Sequence, residues 1–299
     1  MNINTFSNDP TRDPNSNPII NIYKPTNVSD SPNNSNINNS NSSSSPIRII
    51  TSTNYSLKTF CSFILIINTI IYIFQLLYFY IIKKNISWHC TLYNFGAKDT
   101  FSIVKYYQFY RLFTSMFLHA SIIHILMNSL SIFFIGYYLE KKIGLIKIII
   151  LYISSGIFAS MFSACINRQS ISVGASGAIM GFSGILLVDY FFSYHKMNNA
   201  QKKHFLYFGI MTLINLFGTN ISGDGNKVDN SAHLGGFIIG VCLSVYLLKD
   251  NIDIQYVTQS LLKKLKIIFG CFLIFGPLFC LLYLFYIAQI YSNKLKERC

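Results

Sequence analysis

The chain is 299 residues long and carries 24 Lys and Arg against 11 Asp and Glu, a formal net charge of +13. Only 12% of its residues are charged and 52% are apolar, whereas soluble globular proteins carry about twice that charged share. An ordinary soluble enzyme is excluded, and basic residues that punctuate apolar stretches without forming one stripe exclude a nucleic-acid partner. The pattern is that of a protein whose first partner is the lipid bilayer. Seven Cys make an odd number; Cys61, Cys165, Cys242, Cys271 and Cys280 lie in apolar runs and read as small hydrophobes, not a disulfide framework.

In chain order, residues 1–50 form an Asn-, Ser- and Pro-rich block. Its NNSNINNSNSSSS run cannot bury enough surface to offset ordering entropy, so a disordered tail is expected. The tail has no charged stretch followed by an apolar one, so no cleavable signal peptide is expected and the first span directs insertion. Seven candidate spans follow, at 57–82, 119–139, 145–166, 175–194, 204–221, 231–248 and 267–291, each near the ~20 residues that cross the hydrocarbon. The first six make a core over 57–250. Residues 251–299 supply a connecting loop, the seventh span and a short C-terminal tail. Between the first two spans, 83–118 is long and aromatic, with Trp88, Tyr106, Tyr107, Phe109, Tyr110, Phe113 and Phe117, which predicts packing at the membrane interface.

After the second span, most basic residues fall on one side: Lys141, Lys142, Lys147, Lys196, Lys202, Lys203, Lys249, Lys263, Lys264 and Lys266. The positive-inside rule makes that side cytoplasmic, with the N-terminus in the cytosol and the C-terminus outside. Lys83, Lys84, Lys98, Lys105 and Arg111 in the interfacial loop count the other way.

Polar side chains inside membrane spans are functional candidates, and three groups qualify. His119, His124 and Asn128 occur in FLHASIIHILMNSLSIF. Steps of five and four residues turn a helix by about 140° and 40°, so His124 and Asn128 share a face while His119 sits before or at the helix start. Ser176 opens the fourth span in SVGASGAIMGFSG, among Gly174, Gly177, Gly181 and Gly184. His233 opens the sixth in AHLGGFIIG, followed by Gly236 and Gly240. Gly177 with Gly181 and Gly236 with Gly240 are two GxxxG pairs, which let helix backbones approach closely. Each of these helices carries one reactive residue near the same, non-cytoplasmic end. A serine becomes a nucleophile beside a base such as histidine, and the resulting oxyanion needs placed donors. His124, Asn128 and the Ser176 N–H could supply them.

These motifs resemble those of the rhomboid intramembrane serine proteases over roughly residues 88–250. YRLFTSMFLHASIIHILMN is similar to the family's WR loop plus HxxxxHxxxN, and LEKKIG, GASG and AHLGGFIIG follow in the family's order. The resemblance implies an all-α polytopic bundle: a six-helix core plus one C-terminal helix. It implies a Ser176 nucleophile, a His233 general base, and an oxyanion site from His124, Asn128 and the Ser176 N–H. By the same likeness His119 is a supporting residue, while Arg111 and Glu140 are structural anchors. A seventh span after the core is similar to secretory-pathway rhomboids, and the Asn-rich tail resembles apicomplexan, especially malaria-parasite, members. Secretory-pathway or plasma-membrane residence follows from that likeness. So do single-span transmembrane substrates, surface adhesins among them, with no cofactor.

Two positions depart from the family pattern: Tyr110 stands for the usual Trp of the WR pair, and Met180 stands where Tyr or Phe often packs under the imidazole. Other chemistries fit less well. HASIIH lacks the spacing and Glu of HExxH, so no metal is expected. Asp189 lies roughly 20 Å along its helix from Ser176 and Asp224 lies in a polar loop; both read as solvated boundary residues rather than an aspartyl pair. Asp229 is placed to cap the sixth span. An inactive rhomboid-like protein that binds membrane helices for quality control or trafficking remains the alternative.

Overall fold

The computed structural model describes residues 58–82, 86–217, 228–248 and 259–291, all within one compact unit, Asn54–Cys299. The expected disordered tail over 1–50 lies outside the described residues, as do Asp224 and the ends of several loops. The architecture is all helical. Among the described residues the only strand-like pairing is an isolated antiparallel bridge between Lys98 and Ser172.

Helix α1, Phe60–Leu77, runs on through a π turn at Tyr78–Ile82. Its exposed N-terminal amides are satisfied twice over. Thr59 caps Ser62 N–H, and Glu140 accepts from Phe60 N at 2.8 Å and Cys61 N at 3.0 Å. The 83–118 segment is folded: α2 (Trp88–Asn94), α3 (Thr100–Lys105), α4 (Arg111–Thr114) and a 3₁₀ turn at Ser115–Phe117. Side chains of Ser87 and Asp99 cap α2 and α3. Arg111, 4% exposed, ties the segment together by donating to the carbonyls of Tyr93 at 2.8 Å and Ala97 at 3.0 Å.

The second span is built from α5 (Ile122–Ser131), a π turn at Ile132–Gly136 and α6 (Tyr137–Ile143). Gly144, at φ +88°, then takes a conformation that side chains resist and turns the chain into α7 (Leu145–Ile166). Helices α8 (Ser176–Ser193), α9 (Asn199–Phe217), α10 (Asn230–Leu247) and α11 (Gln259–Tyr291) complete the bundle. Six helices among the described residues are long and apolar enough to cross a membrane. The expected fifth span, 204–221, corresponds to α9, which begins in a polar stretch with Lys202 and Lys203 and is not among those six; its last expected residues are not described.

Burial separates centre from periphery. It reaches 61% of the α8 span and 56% of the α10 span but 11% of α11, so α8 and α10 form the axis around which the others pack. A Cβ on Gly236 would lie 1.9 Å from the Gly177 carbonyl oxygen, and one on Gly240 would lie 2.1 Å from that of Gly181. A Cβ on Gly181 would meet Ser155 of α7 at 2.1 Å. Backbones therefore touch where these helices cross, as the small-residue spacing predicts.

One boundary residue differs from expectation. Asp189 is 2% exposed and forms an ion pair with Lys142 of α6, while the Ser193 hydroxyl donates to it. The α6 C-terminus packs beside α8 and delivers a cation there, so the carboxylate is paired instead of solvated.

Gly236→Ala and Gly240→Ala should each destabilise by about 3 kcal/mol or more, because the added carbon meets rigid backbone rather than a movable side chain. Gly209→Ala on α9, where a Cβ finds nothing within 4 Å, should instead leave the protein as stable as the parent or up to about 1 kcal/mol more stable. Thermal unfolding in detergent micelles distinguishes the two cases.

Candidate active site

The site forms where α8 and α10 begin. Ser176 is the first residue of α8, and His233 lies in the first turn of α10. The His233 Nε2 stands 2.8 Å from Ser176 Oγ. His233 is buried, at 4% exposure, while Ser176 is partly open. The hydroxyl is thus reachable while the imidazole is shielded.

The chain reaches Ser176 through Gly174, at φ +125°, whose N–H donates to Ser115 O at 2.9 Å. That glycine is required twice: for its backbone angle, and because a Cβ would lie 2.7 Å from the His124 Cε1 and Nε2 atoms and 3.4 Å from Asn128 Nδ2. His124 and Asn128, on one face of α5, are therefore set against the backbone just before the serine. The Ser121 hydroxyl accepts from His124 N–H at the start of α5. Ala120 N–H donates to His124 Nδ1 at 3.4 Å, which assigns the proton of a neutral ring to Nε2. The Asn128 Nδ2 is buried and has no hydrogen-bond partner among the described residues. Two N–H donors thus face the α8 entrance.

The supporting positions sort into near and far. His119 is fully buried, its ring edge-on to His124 with centroids 5.2 Å apart. Its backbone is held by Gln75 of α1, whose Oε1 accepts from His119 N at 3.3 Å. Met180 is buried one turn along α8 from Ser176. Gly177, Gly236 and Gly240 make the backbone contact beneath the pair. Arg111 holds the interfacial segment and Glu140 caps α1, both through backbone groups outside the Ser176–His233 contact.

Asp229 caps α10, its Oδ1 accepting from Ala232 N at 3.1 Å. Its Oδ2 also accepts from the Ser163 hydroxyl and stands 4.0 Å from Lys98 Nζ. Two contributors, Gln75 and Lys98, had no site role in the sequence reading, and Trp88, read there only as an interfacial aromatic, donates from Nε1 to Ala120 O at 2.6 Å. Gln75 carried the signal of a polar residue inside an apolar span. Lys98 carried none, since its burial depends on partners remote in sequence.

A bundle of this many apolar helices defines an integral multi-pass membrane protein, with a serine hydroxyl set against a histidine imidazole where two of them begin. Residues 106–250 match the family model of the Rhomboid domain. The chain is 39% identical to RHOMBOID-like protein 1 of Arabidopsis thaliana over 163 residues, covering 54% of this chain and 40% of that protein. It is 35% identical to Rhomboid protease AarA of Providencia stuartii over 179 residues, 50% of this chain and 63% of that one. Against Rhomboid-like protease 1 of Toxoplasma gondii the identity is 29% over 165 residues, 54% of this chain and 55% of the relative. Over residues 106–250 the chain carries a Rhomboid domain, and it spans about half the length of most of these curated relatives.

Burial alone would raise the Asp229 carboxyl pKa, but the Lys98 charge and the Ser163, Ala232 and Ser172 donors outweigh it and hold the group below its ordinary value. A carboxyl with a lowered folded-state pKa stabilises fully above its unfolded value of about 4. That contribution is lost as pH falls through the lower folded-state value. Unfolding followed between about pH 5 and pH 2 should show this acid limb, and Asp229→Asn should flatten it.

Proposed function

We propose that the chain is an intramembrane serine endopeptidase that cleaves transmembrane proteins near the non-cytoplasmic membrane face. The observation that carries this reading is the 2.8 Å approach of His233 Nε2 to Ser176 Oγ at the adjoining starts of two membrane helices. His233 takes the Ser176 proton as Oγ attacks the scissile carbonyl. The oxyanion is met by Asn128 Nδ2, His124 Nε2 and the Ser176 N–H. His233 then returns the proton to the leaving amine, and water, activated by the same imidazole, releases the acyl group.

A substrate helix satisfies its own backbone in lipid, so it must unwind before its carbonyl reaches Ser176. Segments carrying Gly or other weak helix formers near that face are the preferred substrates. Single-span proteins, surface adhesins among them, fit this requirement. Two of the relatives carry the word protease in their names, which supports the assignment.

The proposed organisation keeps residues 57–250 as the catalytic core and 251–299 as an appended seventh helix with its connections. Cytosolic placement of the N-terminus is supported by the interfacial loop: Lys98 and Arg111, which counted against it in sequence, are buried and bonded to carbonyls rather than free. Residence in the secretory pathway or plasma membrane belongs to the same proposal.

Co-expression with a tagged single-span substrate provides the test. Ser176→Ala and His233→Ala should each abolish cleavage, and Asn128→Ala should lower kcat about a hundredfold with KM little changed. Cleavage that survives Ser176→Ala overturns the assignment. Substrate capture without cleavage by the wild type would instead support a helix-binding, catalytically silent rhomboid-like protein.

A further inference from the structure

Lys98 is a long cationic side chain at 0% exposure, a placement that is costly unless the charge is fully met. Its Nζ donates to the carbonyls of Asn167 at 3.0 Å and Ser170 at 2.9 Å. Asp229 Oδ2 stands 4.0 Å away, on a side chain only 11% exposed. The lysine backbone is engaged as well: Lys98 N donates to Ser172 O at 2.9 Å and Ser172 N to Lys98 O at 3.1 Å. One residue thereby grips the Asn167–Ser172 segment by side chain and main chain together. That segment runs directly into Gly174 and Ser176.

On the other side, Asp229 governs the start of α10. Besides the Ala232 cap, its own carbonyl accepts from His233 N at 3.1 Å, and its carboxylate is braced by Ser163 at the end of α7. The segment leading to the serine and the helix turn bearing the histidine are thus both referenced to Lys98. Lys98 and Asp229 each hold the backbone that carries one of the two groups.

We infer that Lys98 and Asp229 form a positioning pair that sets the distance between Ser176 and His233. The inference rests on the nucleophile–base reading of that pair. In an apolar surrounding, attraction between opposite charges is strong and weakly screened, so the pair resists relative sliding of the two segments where glycine-rich helices offer little side-chain interlock. A shift of about 1 Å between reacting groups costs on the order of a hundredfold in rate.

The test uses the full chain, purified in detergent micelles, and a fluorophosphonate probe that reacts with an activated serine. The maximal labelling rate, the probe affinity and the melting temperature are measured together. Asp229→Asn is the informative variant, because Asn still caps a helix while the charge is lost. Asp229→Asn and Lys98→Met should each lower the maximal labelling rate about tenfold or more, with probe affinity within about twofold of the parent. The double variant Lys98→Met/Asp229→Asn removes both charges, so its melting temperature should recover, as it does when neither partner is left uncompensated; its labelling rate should stay low. Lys142→Met, which breaks the ion pair with Asp189 farther along α8, should lower the melting temperature and leave the labelling rate unchanged.

If labelling follows melting temperature across all these variants, or is unchanged in Asp229→Asn, the positioning role is wrong while the dyad stands. If the wild type takes no label, or Ser176→Ala takes as much, the dyad reading fails and the positioning role falls with it.

Discussion

Close contact between the backbones of α8 and α10 is the constraint on which the rest depends. The carbonyl oxygens of Gly177 and Gly181 occupy the places that side-chain carbons on Gly236 and Gly240 would need. Ser176 directly precedes Gly177, and His233 lies three residues before Gly236, on the same face of its helix. Once the glycines fix the crossing, the hydroxyl and the imidazole are brought to one seam by helical geometry. The glycine crossing thus brings the two groups to the seam where they stand 2.8 Å apart, and any larger side chain at the crossing would separate them.

Several charged side chains among the described residues serve backbone and structural needs that water would meet in a soluble protein. Polar main-chain groups at helix ends and in irregular segments must find partners inside a membrane protein. Arg111 satisfies carbonyls of the interfacial segment, Glu140 the first amides of α1, and Lys147 the Leu247 carbonyl at the end of α10, at 3.0 Å. Lys142 and Asp189 neutralise each other between α6 and α8. The Ser176 hydroxyl, by contrast, meets the His233 ring nitrogen, and His124 Nδ1 meets the Ala120 N–H.

The helical class, the glycine crossings and the four polar residues around the seam were legible because each violates a strong expectation. A serine, two histidines and an asparagine in apolar spans, and small residues four apart, are rare without a reason. Asp229 was legible as a cap because capping is local. Lys98 and Asp189 were not, since their pairing depends on contacts between elements far apart in the chain, and a charged residue near a span boundary is normally wet. The short helices within 83–118 were also beyond periodicity: they run four to seven residues, too short to show a hydrophobic repeat. Gln75 could have been found by the rule that found Asn128, but in the long apolar α1 neither it nor Asn68 had a partner motif to draw attention to it.

The start of α8 shows what the site does with its backbone. Helices α5 and α10 beside it are capped by the side chains of Ser121 and Asp229, whereas α8 begins at Ala175, which has no side chain able to cap and is wholly buried. First-turn amides without an intrahelical partner are costly inside a protein, and they carry the positive end of the helix dipole. Under the proposed chemistry, the Asn128 amide, unpartnered among the described residues, joins the Ser176 N–H and the His124 Nε2 in binding the transition state more strongly than the ground state.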